Sequence, residues 1–109
     1  MQPAVQHVET IRGQMLEYVK DLVRIPTVNP PGAHYQDLCE YAMERLRQMD
    51  CEVDLVHVPT THESELYPFG KGHPRMSLVG RYRKSRAERP GLHLSGHYDV
   101  VPAGFELAA

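Results

Sequence analysis

The stretch RIPTVNPPGAH, residues 24–34, constrains the chain more than any other, because it packs three prolines and a glycine into eleven residues. Proline fixes φ and carries no N–H, and it pushes the residue before it out of the helical region. No helix can run through such a stretch. It is expected to be an ordered loop, and whatever precedes it must end before Pro26.

On the N-terminal side, Val8, Ile11, Met15, Val19 and Leu22 recur every three or four residues, with Leu16 and Val23 widening the stripe. Glu9, Arg12, Glu17, Lys20 and Asp21 occupy the opposite face. This period predicts one amphipathic helix of about five turns packed on a core, although Gly13 weakens it. On the C-terminal side a second helix is expected, with Leu38, Tyr41, Ala42, Leu46 and Met49 on one face. Asp37 and Glu40 fall early in it and Arg45 and Arg47 late, which suits the helix dipole.

Three strands are then expected. CEVDLVHVP (51–59) is short and valine-rich; RMSLVGRY (75–82) places Met76, Leu78 and Tyr82 on one face; GLHLSG (91–96) is the third. Residues 60–74 read as a surface loop and 83–90 as a charged turn. The order helix, helix, strand, strand, strand predicts an α/β layered domain with an incomplete sheet.

With 109 residues, one domain is the upper bound. A net charge of −2 favours neither nucleic acid nor an anionic membrane. No apolar run reaches membrane-spanning length, and the N-terminus lacks the basic start and apolar stretch of a secretory signal, so the cytoplasm is the expected compartment. Cys39 and Cys51 are then expected to be free, partly buried thiols, and without a C-x-x-C pair a cysteine zinc site has no support. The run RYRKSRAER (81–89) has five Lys or Arg among nine residues. Lacking interleaved aromatics beyond Tyr82, it reads as a solvated turn. No Gly-rich phosphate loop, G-x-S-x-G elbow or H-E-x-x-H helix is present.

The third expected strand runs into LSGHYDVVPAG (94–104), where His97 and Asp99 stand two apart. In an extended segment such residues project to one side, and open α/β sheets bind ligands beyond strand ends. A neutral imidazole binds zinc through one nitrogen, and a nearby carboxylate accepts from the other and fixes the tautomer. Gly96 is expected to allow close backbone approach or unusual dihedrals, and Pro102 to stiffen the exit. The spacing alone leaves a surface polar pair open as the alternative. His93 is expected to be a supporting polar group or partly exposed. His34, His57, His62 and His73 are expected to face solvent, and His7 lies at the terminus.

The seven residues GHYDVVP (96–102) resemble the first metal motif of the dinuclear zinc amidohydrolases and peptidases, the family of aminoacylase, acetylornithine deacetylase, succinyl-diaminopimelate desuccinylase and the glutamate carboxypeptidases. Upstream, LVRIPTVNPPG (22–32) resembles the family's loop after its first helix. YAMERLRQMDCEVDLVHVP (41–59) resembles its second helix and first strand, and RMSLVGRYR (75–83) its next strand. The resemblance covers nearly the whole chain. It implies that residues 1–109 are the N-terminal part of a zinc-peptidase-type catalytic domain, without the lid and dimerisation domain.

By the same resemblance, His97 is a ligand to one of two zinc ions, for which cobalt can substitute. Asp99 is the catalytic aspartate that orients His97 and tunes its basicity. In the family the metals share an activated water, a glutamate is the general base, and the amide bond of an N-acyl amino acid or peptide is cleaved. The intact family protein is expected to be a homodimer. The NPPG loop followed directly by a helix looks more like the acetylornithine deacetylase and desuccinylase branch than the dipeptidase branch. The family's bridging aspartate, Glu–Glu pair, further acidic ligand and late histidine all lie downstream of this motif, whereas here Phe105, Glu106, Leu107, Ala108 and Ala109 end the sequence. The chain is therefore expected to be a truncated piece, inactive alone. A non-catalytic product or a small partner-binding domain is the alternative. An uncovered sheet edge and apolar face would further predict poor solubility or self-association.

Overall fold

A computed structural model describes residues 2–66, 68–70, 72–82 and 91–103. The expected first helix is two helices, α1 (Gln2–Thr10) and α2 (Arg12–Arg24). They are separated at Ile11, whose φ of −103° and ψ of 8° leave the helical basin. The cause is local. The Thr10 hydroxyl donates to the His7 carbonyl at 2.6 Å, and the Ile11 amide then divides its bond between His7 and Val8, at 3.2 and 3.3 Å. Side-chain competition of this kind bends or breaks helices. The second part ends at Arg24, ahead of Pro26 as the proline demands.

Helix α3 (Tyr35–Gln48) follows the loop, with Asp37 in its first turn and Arg45 and Arg47 in its last. Strands β1 (Glu52–His57) and β2 (Met76–Arg81) pair antiparallel, with Leu55 opposite Leu78 and Val53 opposite Gly80. Both strands pack against α3. Val53, Leu55 and Leu78 are half-buried and Met76 is buried, while Asp54, Val56, Ser77 and Val79 are exposed. This alternation is what a sheet with one solvated face requires. Tyr82 falls just beyond β2 and is exposed, so it does not share the face of Met76 and Leu78. Between the strands the chain is not featureless: it makes two 3-10 turns, Thr60–His62 and Pro68–Gly70, around the short helix α4 (Glu63–Leu66).

The core is small and lies under α3. Tyr35, Leu38, Cys39 and Met76 are buried, and so is Thr27. Cys39 and Cys51 are both free, the second half-buried. The radius of gyration is 17.2 Å, against about 13 Å for a compact chain of this length.

Two expectations are corrected here. The apolar stripe of α1 and α2 does not pack on a core: Val8, Met15, Leu16, Val19 and Val23 are all exposed. Helix α2 meets α3 through its polar flank instead. The Tyr41 hydroxyl donates to Asp21 at 2.8 Å, and the Arg45 guanidinium lies over the rings of Tyr18 and Tyr41, 5.4 and 5.1 Å from their centroids. Among the described elements α3 packs against both strands, whereas α1 and α2 pack chiefly against each other.

Residues 91–96 form no strand; the sheet among the described residues has two strands, not three. Alternating apolar residues make a strand only if a neighbouring backbone accepts and donates hydrogen bonds, and here the pairing begins later, with a single parallel bridge between Val28 and Val100. Leu92 and Leu94 are consequently exposed. The chain is thus a small mixed α/β structure in which helices precede a two-stranded sheet. The expected charged turn at 83–90 lies outside the described residues.

Candidate functional site

The loop that the prolines create is what holds the His97 segment. The Val100 amide donates to the Thr27 carbonyl at 2.9 Å, the Asn29 amide donates to the Val100 carbonyl at 2.8 Å, and the Thr27 hydroxyl donates to the Tyr98 carbonyl at 2.6 Å. Tyr98 then reaches the core. Its hydroxyl donates to the Met76 carbonyl, and its ring meets Tyr35 edge-on with centroids 4.9 Å apart. Burial, then the neighbouring Cys39, raises the Tyr98 phenol well above its ordinary pKa. With its hydroxyl on the Met76 carbonyl and its ring on Tyr35, it anchors the segment to the core.

With Tyr98 directed inward, the residues on either side of it face outward together. His97 Nδ1 lies 2.9 Å from Asp99 Oδ1 and 3.1 Å from the Asp99 carbonyl oxygen. The two side chains that sequence spacing placed on one side are therefore in direct contact. The other carboxylate oxygen, Oδ2, accepts from Asn29 Nδ2 at 3.3 Å. That bond is the main reason the Asp99 pKa is lowered; partial burial opposes it and His97 adds to it. The His97 side chain is 85% exposed and that of Asp99 38%.

Both residues border an open cleft of about 740 Å³. Asn29, Arg75, His97 and Asp99 make its polar side, and Leu66, Pro68 and Leu78 contribute apolar surface. A carboxylate accepts only, so it calls for a proton on His97 Nδ1 and leaves the Nε2 lone pair as the ring's free donor. The pair therefore fits one ligand position of a zinc ion, with Asp99 in the supporting role that metal-bound histidines commonly have. It does not make a closed set: among the described residues no three His, Cys, Asp or Glu side chains are grouped to hold a metal.

Gly96 does not play the expected part. A β-carbon there would meet nothing within 4 Å, and its φ is outside the left-handed region. His93 is exposed, as are His34, His57 and His62, whereas His73 is half-buried where its amide closes the Pro68–Gly70 turn at 2.9 Å. Glu106 lies outside the described residues. What sequence reasoning missed is Asn29, Arg75 and Thr27, because their partners are far along the chain. The only local hint was an asparagine placed directly before two prolines. Among the described residues, no helix is long and apolar enough to cross a membrane. The chain matches no family model, no curated protein and no solved structure.

Proposed function

We propose that this chain is the N-terminal part of a metal-dependent hydrolase that cleaves the amide bond of N-acyl amino acids or peptides, of the zinc-peptidase layering and the acetylornithine deacetylase and desuccinylase type. The observation that carries the reading is the His97–Asp99 contact at the mouth of the cleft, inside a GHYDVVP motif. When bound, zinc polarises a carbonyl and lowers the pKa of water. The residues of this chain do the rest of the work assigned here. Asp99 holds the proton on His97 Nδ1, so that Nε2 faces the cleft unprotonated. Asn29 keeps the carboxylate turned toward the ring. The cleft, with a polar and an apolar side, suits a small substrate that carries both kinds of group.

On this reading the remaining ligands to a metal pair and the general base come from residues outside those described, and the active form is a homodimer in the cytoplasm. The 109 residues alone are inactive. A non-catalytic, partner-binding role is the second reading, favoured by the exposed apolar stripe of α1 and α2.

Cobalt(II) titration followed by NMR tests the first reading. Paramagnetic broadening is expected to centre on His97 and to vanish in His97→Ala, with no turnover of N-acetylornithine or N-succinyl-diaminopimelate by the chain alone. Broadening centred on another histidine, or unchanged in His97→Ala, would overturn it.

A further inference from the structure

Behind the His97–Asp99 pair, the hydrogen bonds continue into the fold. Arg75 Nη2 donates to Asn29 Oδ1 at 3.3 Å and to the Pro31 carbonyl at 2.8 Å. Asn29 Nδ2 donates in turn to Asp99 Oδ2. We propose that Arg75 and Asn29 are positioning residues: the guanidinium orients the Asn29 amide, the amide turns the Asp99 carboxylate, and the carboxylate presents His97 to the cleft through Nε2. The consequence for metal binding rests on the hydrolase reading, whereas the orientation of the ring is testable without metal.

The chemistry of the four groups allows one arrangement. A guanidinium only donates and a carboxylate only accepts. An amide set between them must show its oxygen to Arg75 and its nitrogen to Asp99. The reversed amide would set donor against donor at one end and acceptor against acceptor at the other. Without Arg75, the oxygen end of Asn29 loses this partner, and the amide is held only by the carboxylate it is meant to hold.

The guanidinium is itself seated in a slot. It lies over the Tyr35 ring, 4.9 Å from the centroid. A β-carbon at Gly32 would overlap its Nη1, and one at Gly70 would overlap its Nη2, so a larger residue at either position would displace the guanidinium. Gly32 also has a φ of +95°, which only glycine adopts without strain. The Arg75 backbone is fixed as well, since its carbonyl accepts from the Val58 amide at 2.9 Å, extending the β1–β2 ladder. Lysine carries the same charge but lacks the planar fork. An exposed surface contact needs none of these features.

The test is the tautomer of the neutral His97 ring, read by long-range ¹⁵N–¹H correlation in the full 109-residue chain. At about pH 8.5 an unperturbed imidazole is neutral. The unsubstituted chain is expected to show the Nδ1–H form. Asn29→Leu is expected to lower the ratio of Nδ1–H to Nε2–H about fivefold, and Arg75→Lys about threefold, the size of a lost or weakened hydrogen bond. A purely structural role for Arg75 would leave that ratio alone. An Nε2–H ring in the unsubstituted chain would overturn the proposal. So would an unchanged ratio in both variants while the Val28 and Val100 amide shifts stay in place.

If either variant unfolds, the unsubstituted chain decides. Separate Arg75 Nη signals and slow exchange of the Asn29 side-chain amide support the relay, and averaged, fast-exchanging signals overturn it. Excess zinc added to the same sample separates the two claims: weak binding that shifts the Nε2 signal supports the hydrolase reading, whereas zinc that shifts other histidines and leaves the Nε2 signal of an Nδ1–H His97 ring unmoved overturns that reading and leaves the positioning pair standing.

Discussion

Helices α2 and α3 carry apolar stripes of the same period, yet Leu38 of α3 is 7% exposed and Val19 of α2 is 54% exposed. Both stripes were written by the same rule of three and four. What differs is the surface opposite. Helix α3 has a two-stranded sheet against it, whereas α2 meets α3 through the polar groups of Tyr18 and Asp21. Periodicity states which face a helix would bury, and not whether anything is there to bury it. The His97 site belongs to the first region, because Tyr98 ties it to Tyr35 and Met76.

That contrast can be broken most directly in the core. Leu38→Ala should destabilise the chain by about 2–5 kcal/mol, since it leaves a cavity where the neighbours cannot fully close in. Urea denaturation measures it, and a loss below about 1 kcal/mol would place Leu38 in no better a setting than the exposed residues. The next largest effect is expected at the clamp. Thr27→Val keeps the shape and removes the hydroxyl that bonds the Tyr98 carbonyl. A cost of about 1–2 kcal/mol follows for a buried bond left half-made. Amide exchange at Val100 should quicken with it, while exchange in α2 stays the same.

A third test uses pH. The Asp99 pKa is lowered in the folded chain, chiefly by the Asn29 amide. Its contribution is therefore present above the unfolded carboxylate range, near pH 4, and disappears as pH falls through the lower folded value. Asp99→Asn should lower stability at pH 7, and the gap to the unsubstituted chain should narrow steadily below about pH 4. A gap that widens in acid would contradict the bonds described. The smallest change in folding stability is expected on the exposed stripe, where Val19→Ala and Val23→Ser should shift it by no more than about 0.5 kcal/mol. Sedimentation should nonetheless show less self-association, because the substitutions shrink an exposed apolar patch.

Much of the local structure was legible in the residues. Pro26 ended α2, the charges at either end of α3 announced its direction, a valine-rich run marked β1 and apolar alternation marked β2. The contact between His97 and Asp99 was legible too, since a spacing of two needs no distant partner. The failures share a cause. Residues 91–96 alternate as a strand should, but a strand is a relation between two backbones, and among the described residues the second is missing. The break at Ile11 came from a threonine hydroxyl competing for one carbonyl, a detail that hydrophobic period does not encode.

The sequence by itself determined where helices must stop, which faces are apolar, and that an imidazole and a carboxylate would stand side by side. Only the tertiary structure decided which apolar faces are covered and what stands behind the pair. Asn29 and Asp99 are 70 residues apart and Arg75 and Asn29 are 46 apart. No local propensity links residues at such distances. They meet because the proline loop, the start of β2 and the His97 segment converge on the Tyr35 end of α3, and hydrogen bonds at that point depend on position in space rather than on order along the chain.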